Sequence, residues 1–151
     1  MRILFLHHTF PGPFRYLAAR LGGLPGNEVV FLSERSRRDV RIPGVRNLTV
    51  SGVQPVMSED RAERELMQMM RYGSRFANAL LRLQQSGFEP DIVYAHPRWG
   101  CSFFVQDIFR YVAQKLFCLF LDQGSMTLIR FIDDLILVIQ HNTLYGCGAN
   151  I

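Results

Sequence analysis

Short, almost continuous apolar runs recur along the chain and predict the strands of one sheet. The first run is RILFLH, and four further runs follow it within the first 121 residues. Such runs are typical of parallel strands that are covered on both faces, whereas half-exposed strands alternate apolar and polar residues. We therefore predict parallel strands over Arg2–His7, Asn27–Glu34, Arg46–Val50, Asp91–His96 and Lys115–Leu121.

Between the strands, apolar residues recur at three- and four-residue steps, which is the period of an amphipathic helix. The longest such segment runs from Arg61 to about Ser86, and its apolar face comprises Ala62, Leu66, Met69, Gly73, Phe76 and Leu80. The preceding Ser58-Glu59-Asp60 segment supplies an N-cap and acidic residues where a helix start favours them. Shorter helices are predicted over Pro13–Leu24 and Cys101–Phe109.

The alternation of strands and helices predicts an α/β fold, a three-layer Rossmann-like domain with a mainly parallel sheet. We place this domain at residues 1–121 and interpret residues 122–151 as an aberrant, poorly defined tail. Within the tail, Met126–Ile139 is very apolar but shows neither helix nor strand periodicity. Its charged residues, Arg130, Asp133 and Asp134, argue against a membrane span.

Charge and cysteine content narrow the environment and the partners of the chain. Of its 151 residues, 48% are hydrophobic and 20% are charged, a balance typical of a globular domain. The net charge of +4 comes almost entirely from arginine, since Lys115 is the only lysine, and it favours anionic partners such as phosphates or a membrane surface. Three widely spaced cysteines favour a reducing compartment over a disulfide framework or a zinc site. We expect a cytoplasmic protein with peripheral contact at the inner membrane face.

Histidines stand at the ends of two predicted strands, where an α/β sheet binds its ligands. His7 and His8 follow the first apolar run and precede Pro11-Gly12-Pro13, a stiff turn whose glycine permits close backbone approach. His96 ends the fourth predicted strand, and Trp99-Gly100 follow it. Because the carboxyl ends of parallel strands meet at one edge of the sheet, we expect both groups at the same edge.

These residues have structural as well as functional interpretations. His7 is best explained as a buried structural histidine, whereas a ligand contact and a structural role stay equally open for His8 and His96. Trp99 is either a core residue or a flat face for a sugar ring. The first turn lacks the glycine patterns of dinucleotide-binding and P-loop motifs. A solvated surface is the simplest interpretation of the arginines after the second strand, Arg35, Arg37, Arg38 and Arg41.

Two motifs together resemble the N-terminal domain of bacterial family 4 glycosyltransferases, which have the GT-B fold. The first is ILFLHHTFPGPFRYLAARL, where relatives have a loop of sequence Asn-Phe-Pro-Gly-Gln-Phe-Arg-His-Leu. The second is GFEPDIVYAHPRWG, where relatives have His-x-Gly-Trp-Gly. The resemblance covers residues 1–109, with departures at Thr9, Pro13, Tyr16 and Arg98. Beyond about residue 109 it ends, and we expect a truncation or a frame shift there.

The resemblance implies two Rossmann-like domains that face each other across a cleft, the N-terminal one holding the acceptor and the C-terminal one the nucleotide-sugar. We therefore expect the acceptor-side portion of a hexosyltransferase-type enzyme of polysaccharide biosynthesis. It would move a sugar from a nucleotide-sugar donor to a carbohydrate or lipid-linked acceptor. Since 151 residues do not extend through a second domain, we expect the fragment alone to be inactive and the C-terminal Rossmann domain to be a necessary partner.

The same resemblance implies roles for the residues at the strand ends. His96 would be the catalytic residue that contacts the donor sugar. Contacts with substrate are implied for His8, Pro11, Gly12, Trp99 and Gly100. We expect no metal, no cofactor besides the nucleotide-sugar co-substrate, and no nucleic acid. The alternative is a non-enzymatic, flavodoxin-like module that binds a small ligand.

Overall fold

The computed structural model describes residues 1–37, 39–50, 52, 54–96, 100–110, 112–122, 125–132 and 135–141, with side chains described up to residue 112. The strands in these ranges are β1 Arg2–Phe10, β2 Glu28–Ser36, β3 Val45–Thr49, β4 Ile92–Ala95, β5 Ala113–Asp122, β6 Ser125–Ile132 and β7 Leu135–His141. They form one sheet in the order β3-β2-β1-β4-β5-β6-β7. Neighbours from β3 to β5 pair in parallel. β6 and β7 extend the sheet in antiparallel pairs. The predicted Rossmann-like α/β fold with a mainly parallel sheet is confirmed.

In the described chain, helices lie between β1 and β2, between β3 and β4, and between β4 and β5: α1 Arg15–Gly22, α2 Arg61–Gln85 and α3 Val105–Ile108. A 3₁₀ turn, Gly12–Phe14, separates β1 from α1, so the first α-helix begins later than predicted. α2 begins where the acidic segment predicts, because Oδ1 of Asp60 accepts a hydrogen bond from the amide of Glu63 at 2.8 Å. None of the helices in the described ranges is long and apolar enough to cross a membrane.

Each face of the sheet carries its own hydrophobic core. On one face, Phe76 and Leu80 of α2 pack against residues of the central strands: Leu4, Leu6, Val30 and Leu32. On the other face, Phe5 stacks between Phe31 and Tyr94, with ring centroids 5.7 Å and 5.0 Å away, and α1 contributes Ala18 to the same core. Burial on both faces is the three-layer arrangement that continuous apolar runs predict.

The first half of α2 departs from the predicted apolar face. The buried residues of this helix are Gly73, Phe76, Leu80 and Leu83, which run from its middle to its carboxyl end. Leu66 is 60% exposed, and Ala62 is exposed as well. The reason is length: α2 has 25 residues and therefore spans about 37 Å, more than the strands that it covers.

The backbone after α3 also corrects the prediction from sequence. Met126–Ile139 does not lack regular structure, because β6 and β7 form an antiparallel pair in which Ile132 lies opposite Leu135. Two apolar runs separated by only two residues, Asp133 and Asp134, are the pattern of a β-hairpin, and this signal was available in the sequence. The division of the chain at residue 121 stays a prediction.

Candidate functional site

Neighbouring positions of β1 and β4 bring two buried histidines side by side. Because β1 continues to Phe10, the predicted end of this strand at His7 is too early. Leu6 of β1 lies opposite Ala95 of β4, and His7 and His96 are the residues that follow them in the sequence. The ring centroids of His7 and His96 lie 5.8 Å apart with the planes 78° from each other. His7 is 6% exposed and His96 8% exposed. The prediction that the two motifs meet at one edge of the sheet is confirmed for these residues.

The turn after β1 packs directly on the ring of His7. Gly12 has a φ of +48°, which favours glycine, and a Cβ at this position would lie 2.5 Å from Nδ1 of His7. The peptide bond before Pro11 is cis. Nδ1 of His7 also lies 2.9 Å from the carbonyl oxygen of Thr9 and 3.1 Å from its amide nitrogen. Because Gly12 has no side chain, the turn can pack on His7. That the backbone of Gly12 also approaches a ligand stays a prediction.

Burial keeps the imidazole of His7 neutral at physiological pH. Removal from solvent is the main cause that lowers the pKa of His7 from 6.5 to about 4. The hydrogen bond with Thr9 opposes this shift, and the neighbouring His8 and His96 add to it. The pKa of the partly buried His8 is lowered too, first by burial and then by Arg35, while Glu34 opposes. The prediction that His7 is buried is confirmed, and the ligand contact of His8 stays a prediction.

The loop after β4 is described from Gly100 onward. Pro97, Arg98 and Trp99 lie outside the described residues, and so does the predicted contact of Trp99 with a sugar. Gly100 is buried with a φ of +73°, and a Cβ there would collide with the carbonyl oxygen of Met69 in α2. A glycine at this position therefore lets the loop pack against the backbone of α2. Its predicted role in the wall of a cleft stays a prediction.

Cys101 fixes the backbone of His96, a role that the sequence analysis missed. Its Sγ donates to the carbonyl oxygen of His96 at 3.2 Å and approaches that of Leu6 at 3.8 Å. Burial raises the pKa of this thiol to about 12, so it stays protonated and able to donate. The sequence offers no signal for this role, because it depends on contacts between the ends of two separate strands.

A second polar cluster, also missed in the sequence, lies at the end of β2. The side chain of Glu34 is 8% exposed, and its Oε2 accepts no hydrogen bond from the described residues. Nε of Arg35 lies 3.9 Å from this oxygen. Burial, and after it the nearby carboxylate of Glu34, raise the pKa of Tyr72 in α2 to about 12. Arg35 lowers the pKa of His8 and Glu34 raises it. The cluster therefore lies beside the histidines of β1.

The arginines at the end of β2 and in the loop after it lie at the surface, as predicted for the residues described there. Arg35 lies within β2, which ends at Ser36 and not at Glu34 as predicted. Arg35, Arg37 and Arg41 are exposed, and Arg38 lies outside the described residues. Nη2 of Arg37 pairs with Asp39 at 2.7 Å, and this contact holds the pKa of the Asp39 carboxyl below its ordinary value. Within the described ranges, no group of histidines, cysteines and carboxylates could hold a metal ion.

Replacing Gly12 with alanine is expected to destabilise the chain by about 2 kcal/mol or more, since the new methyl group meets the ring of His7 in a strained backbone conformation. Gly26→Ala is the matched control, because Gly26 has a φ of +81° but nothing within 4 Å of its added Cβ. Urea unfolding of both variants measures the difference. A Gly12→Ala loss no larger than that of Gly26→Ala would show that the turn does not pack on His7.

The sheet and the paired histidines define a Rossmann-like α/β protein whose candidate site lies at the carboxyl edge of its parallel strands. The sequence model of the glycosyl transferase family 4 group matches residues 25–131. This match covers more than half of the chain, and the chain belongs to that family. The match extends through β5 and most of β6, so the predicted end of the resemblance at about residue 109 is too early. No curated protein matches the chain.

Proposed function

We propose that the chain is the acceptor-side portion of a hexosyltransferase that moves a sugar from a nucleotide-sugar to a carbohydrate or lipid-linked acceptor. Membership in the glycosyl transferase family 4 group supports glycosyl transfer as the reaction class. The observation that carries the finer proposal is the position of His96. It is a buried imidazole at the carboxyl end of β4, the edge where open α/β sheets bind ligands.

His96 acts as the residue that contacts the donor sugar. Its backbone is fixed by Cys101, and its ring packs against the neutral ring of His7. An imidazole held in this way offers a hydrogen bond of fixed direction to a sugar hydroxyl. Where a donor phosphate helps to deprotonate the acceptor, the protein contributes mainly by positioning the reactants, and such positioning supports large rate gains.

The other residues of the edge complete the proposed site. The turn with Pro11 and Gly12 brings the backbone close to the donor phosphates or the acceptor, and His8 contacts the acceptor. Trp99 and Gly100 shape the wall. A second Rossmann-like domain binds the nucleotide, and the arginine-rich surface makes a peripheral contact with the cytoplasmic face of a membrane in polysaccharide biosynthesis.

Because nucleotide phosphates are bound by the second domain, we expect the 151-residue chain alone to show little or no transfer. Purified chain incubated with UDP-glucose or GDP-mannose and an oligosaccharide acceptor should release no more UDP or GDP than a heat-denatured sample. A native mass titration with flavin mononucleotide is the companion measurement. Clear turnover by the chain alone would contradict the proposal that transfer needs a second, nucleotide-binding domain. A flavin complex would favour the flavodoxin-like alternative.

A further inference from the structure

A cavity of about 500 Å³ lies at the carboxyl edge of β1 and β2. Two of its lining residues, Phe10 and Ser36, are the last residues of these strands and lie opposite each other in the register. The volume falls within the range of small-molecule sites, about 300 to 1,000 Å³. Phe10 directly precedes the turn with Pro11 and Gly12. A ligand in this cavity would therefore lie next to the turn that approaches substrate in the proposed function.

Asn47 and Ser36 supply neutral hydrogen-bonding groups to this cavity. Asn47 lies opposite Phe31 in the register of β3 with β2, on the face of the sheet whose core is otherwise apolar. Its Nδ2 donates to Oγ of Ser36, and its Oδ1 lies 3.5 Å from the hydroxyl oxygen of Ser33. The contacts within the described chain use one of the two amide hydrogens of Asn47. The second amide hydrogen and the hydroxyl proton of Ser36 can therefore be donated to a ligand.

The charge of the cavity is positive. Arg37 and Arg41 line it, and no carboxylate is found among the lining residues that the structure describes. Nη2 of Arg37 is already paired with Oδ2 of Asp39 at 2.7 Å. Arg41 is exposed, and no carboxylate of the described residues lies within ion-pair distance of it. Its guanidinium can therefore bind an anion through two parallel hydrogen bonds.

We propose that this cavity binds an acceptor sugar that carries one anionic group, either a carboxylate or a phosphate ester. Arg41 binds the anionic group, and Asn47 and Ser36 donate hydrogen bonds to the hydroxyl groups of the sugar. The apolar face of the sugar ring lies against the remaining walls, which are Phe10, Val40, Ile42, Pro43 and Val45. This inference rests on the proposed function and deepens it, because it makes negative charge the property by which the chain selects its acceptor.

The probes are methyl β-D-glucuronide and glucose 6-phosphate, added to the isotope-labelled full chain. Both should shift the amide resonances of Val40, Arg41 and Asn47 to saturation. Methyl β-D-glucoside lacks the charge and inorganic phosphate lacks the sugar, so each should bind about tenfold more weakly or worse. The anionic sugar that binds more tightly identifies the acceptor group as a uronic acid or as a phosphorylated sugar.

Two variants test the residues that carry the inference. Arg41→Gln removes the exposed charge and should weaken the binding of both anionic sugars about tenfold or more. Asn47→Asp keeps the size of the side chain but adds a negative charge, and it should weaken their binding at least as much. Arg46→Gln is the matched control, because it makes the same change of charge one position earlier in β3. Arg46 is exposed and lines a different cavity, on the side of α2.

Amide resonances far from the cavity show whether each variant is folded. Shifts confined to other residues, wild-type affinity in Arg41→Gln, or equal affinity for the anionic sugars and either control compound would overturn the inference. If the anionic sugars bind as expected but a two-domain enzyme transfers no sugar, the proposed function fails and this site stands. If that enzyme uses neutral and anionic acceptors equally well, and Arg41→Gln changes neither rate, only this site fails.

Discussion

Replacing His96 with alanine is expected to lower sugar transfer by about tenfold or more, which corresponds to about 1.4 kcal/mol of transition-state stabilisation per factor of ten. The enzyme for this test joins residues 1–121 to the C-terminal domain of another member of the glycosyl transferase family 4 group. The variant should stay folded with a moderately lower melting temperature, because it loses the packing of the ring on His7 but keeps the hydrogen bonds with Leu6 and Cys101, which use the backbone of His96.

Ser102→Ala is the matched control for His96→Ala. Ser102 lies in the loop that follows β4 and is also 8% exposed, but it has no assigned role at the site. Its replacement should leave the initial rate within about twofold of wild type, a change of less than about half a kcal/mol. If His96→Ala retains full activity, whatever its melting temperature, His96 is a packing residue and the assignment is wrong.

Acid should destabilise the fold through His7. The pKa of His7 is about 4 in the folded chain and 6.5 as a free side chain, so the unfolded chain binds a proton that the folded chain excludes between these values. The stabilisation is complete above about pH 6.5 and is lost as the pH falls to about 4. Together these values give a loss of about 3 kcal/mol in the free energy of unfolding.

Urea unfolding at about pH 7 and about pH 4.5 measures this effect. His7→Asn preserves an acceptor near the amide of Thr9 but cannot be protonated in this range, so its stability should fall much less with acid. His8→Asn is the control, because His8 is only partly buried and contributes a smaller part in the same direction. A wild-type pH dependence in His7→Asn would show that protons bind elsewhere during acid unfolding.

Much of the sheet could be predicted from the sequence because its signals are local. Continuous apolar runs identify strands that are buried on both faces, and the alternation with helical periodicity identifies parallel connections. Parallel strands end at a common edge, which is why His7 and His96, 89 positions apart in the sequence, could be expected together. The N-cap at Asp60 was likewise predicted from the few residues around it.

The features that the sequence analysis missed depend on contacts between distant segments. Glu34 looks like the exposed polar end of a strand, and only the folded structure shows that its side chain is buried. The spacing of Leu66 predicts an apolar helix face but carries no information on where the sheet beneath it ends. Cys101 acquires its role from the carbonyl oxygens of Leu6 and His96, which the fold brings together.

The most direct measurement of the central claim compares sugar transfer by the 151-residue chain with transfer by residues 1–121 joined to a family donor domain. The initial rate of UDP or GDP release is recorded with an octyl glycoside or oligosaccharide acceptor, and the glycosylated product is identified by mass spectrometry. We expect product from the joined enzyme, its loss on His96→Ala, and none from the chain alone. A joined enzyme that is folded and binds the nucleotide-sugar but forms no product, or a chain that transfers sugar alone, would contradict the account.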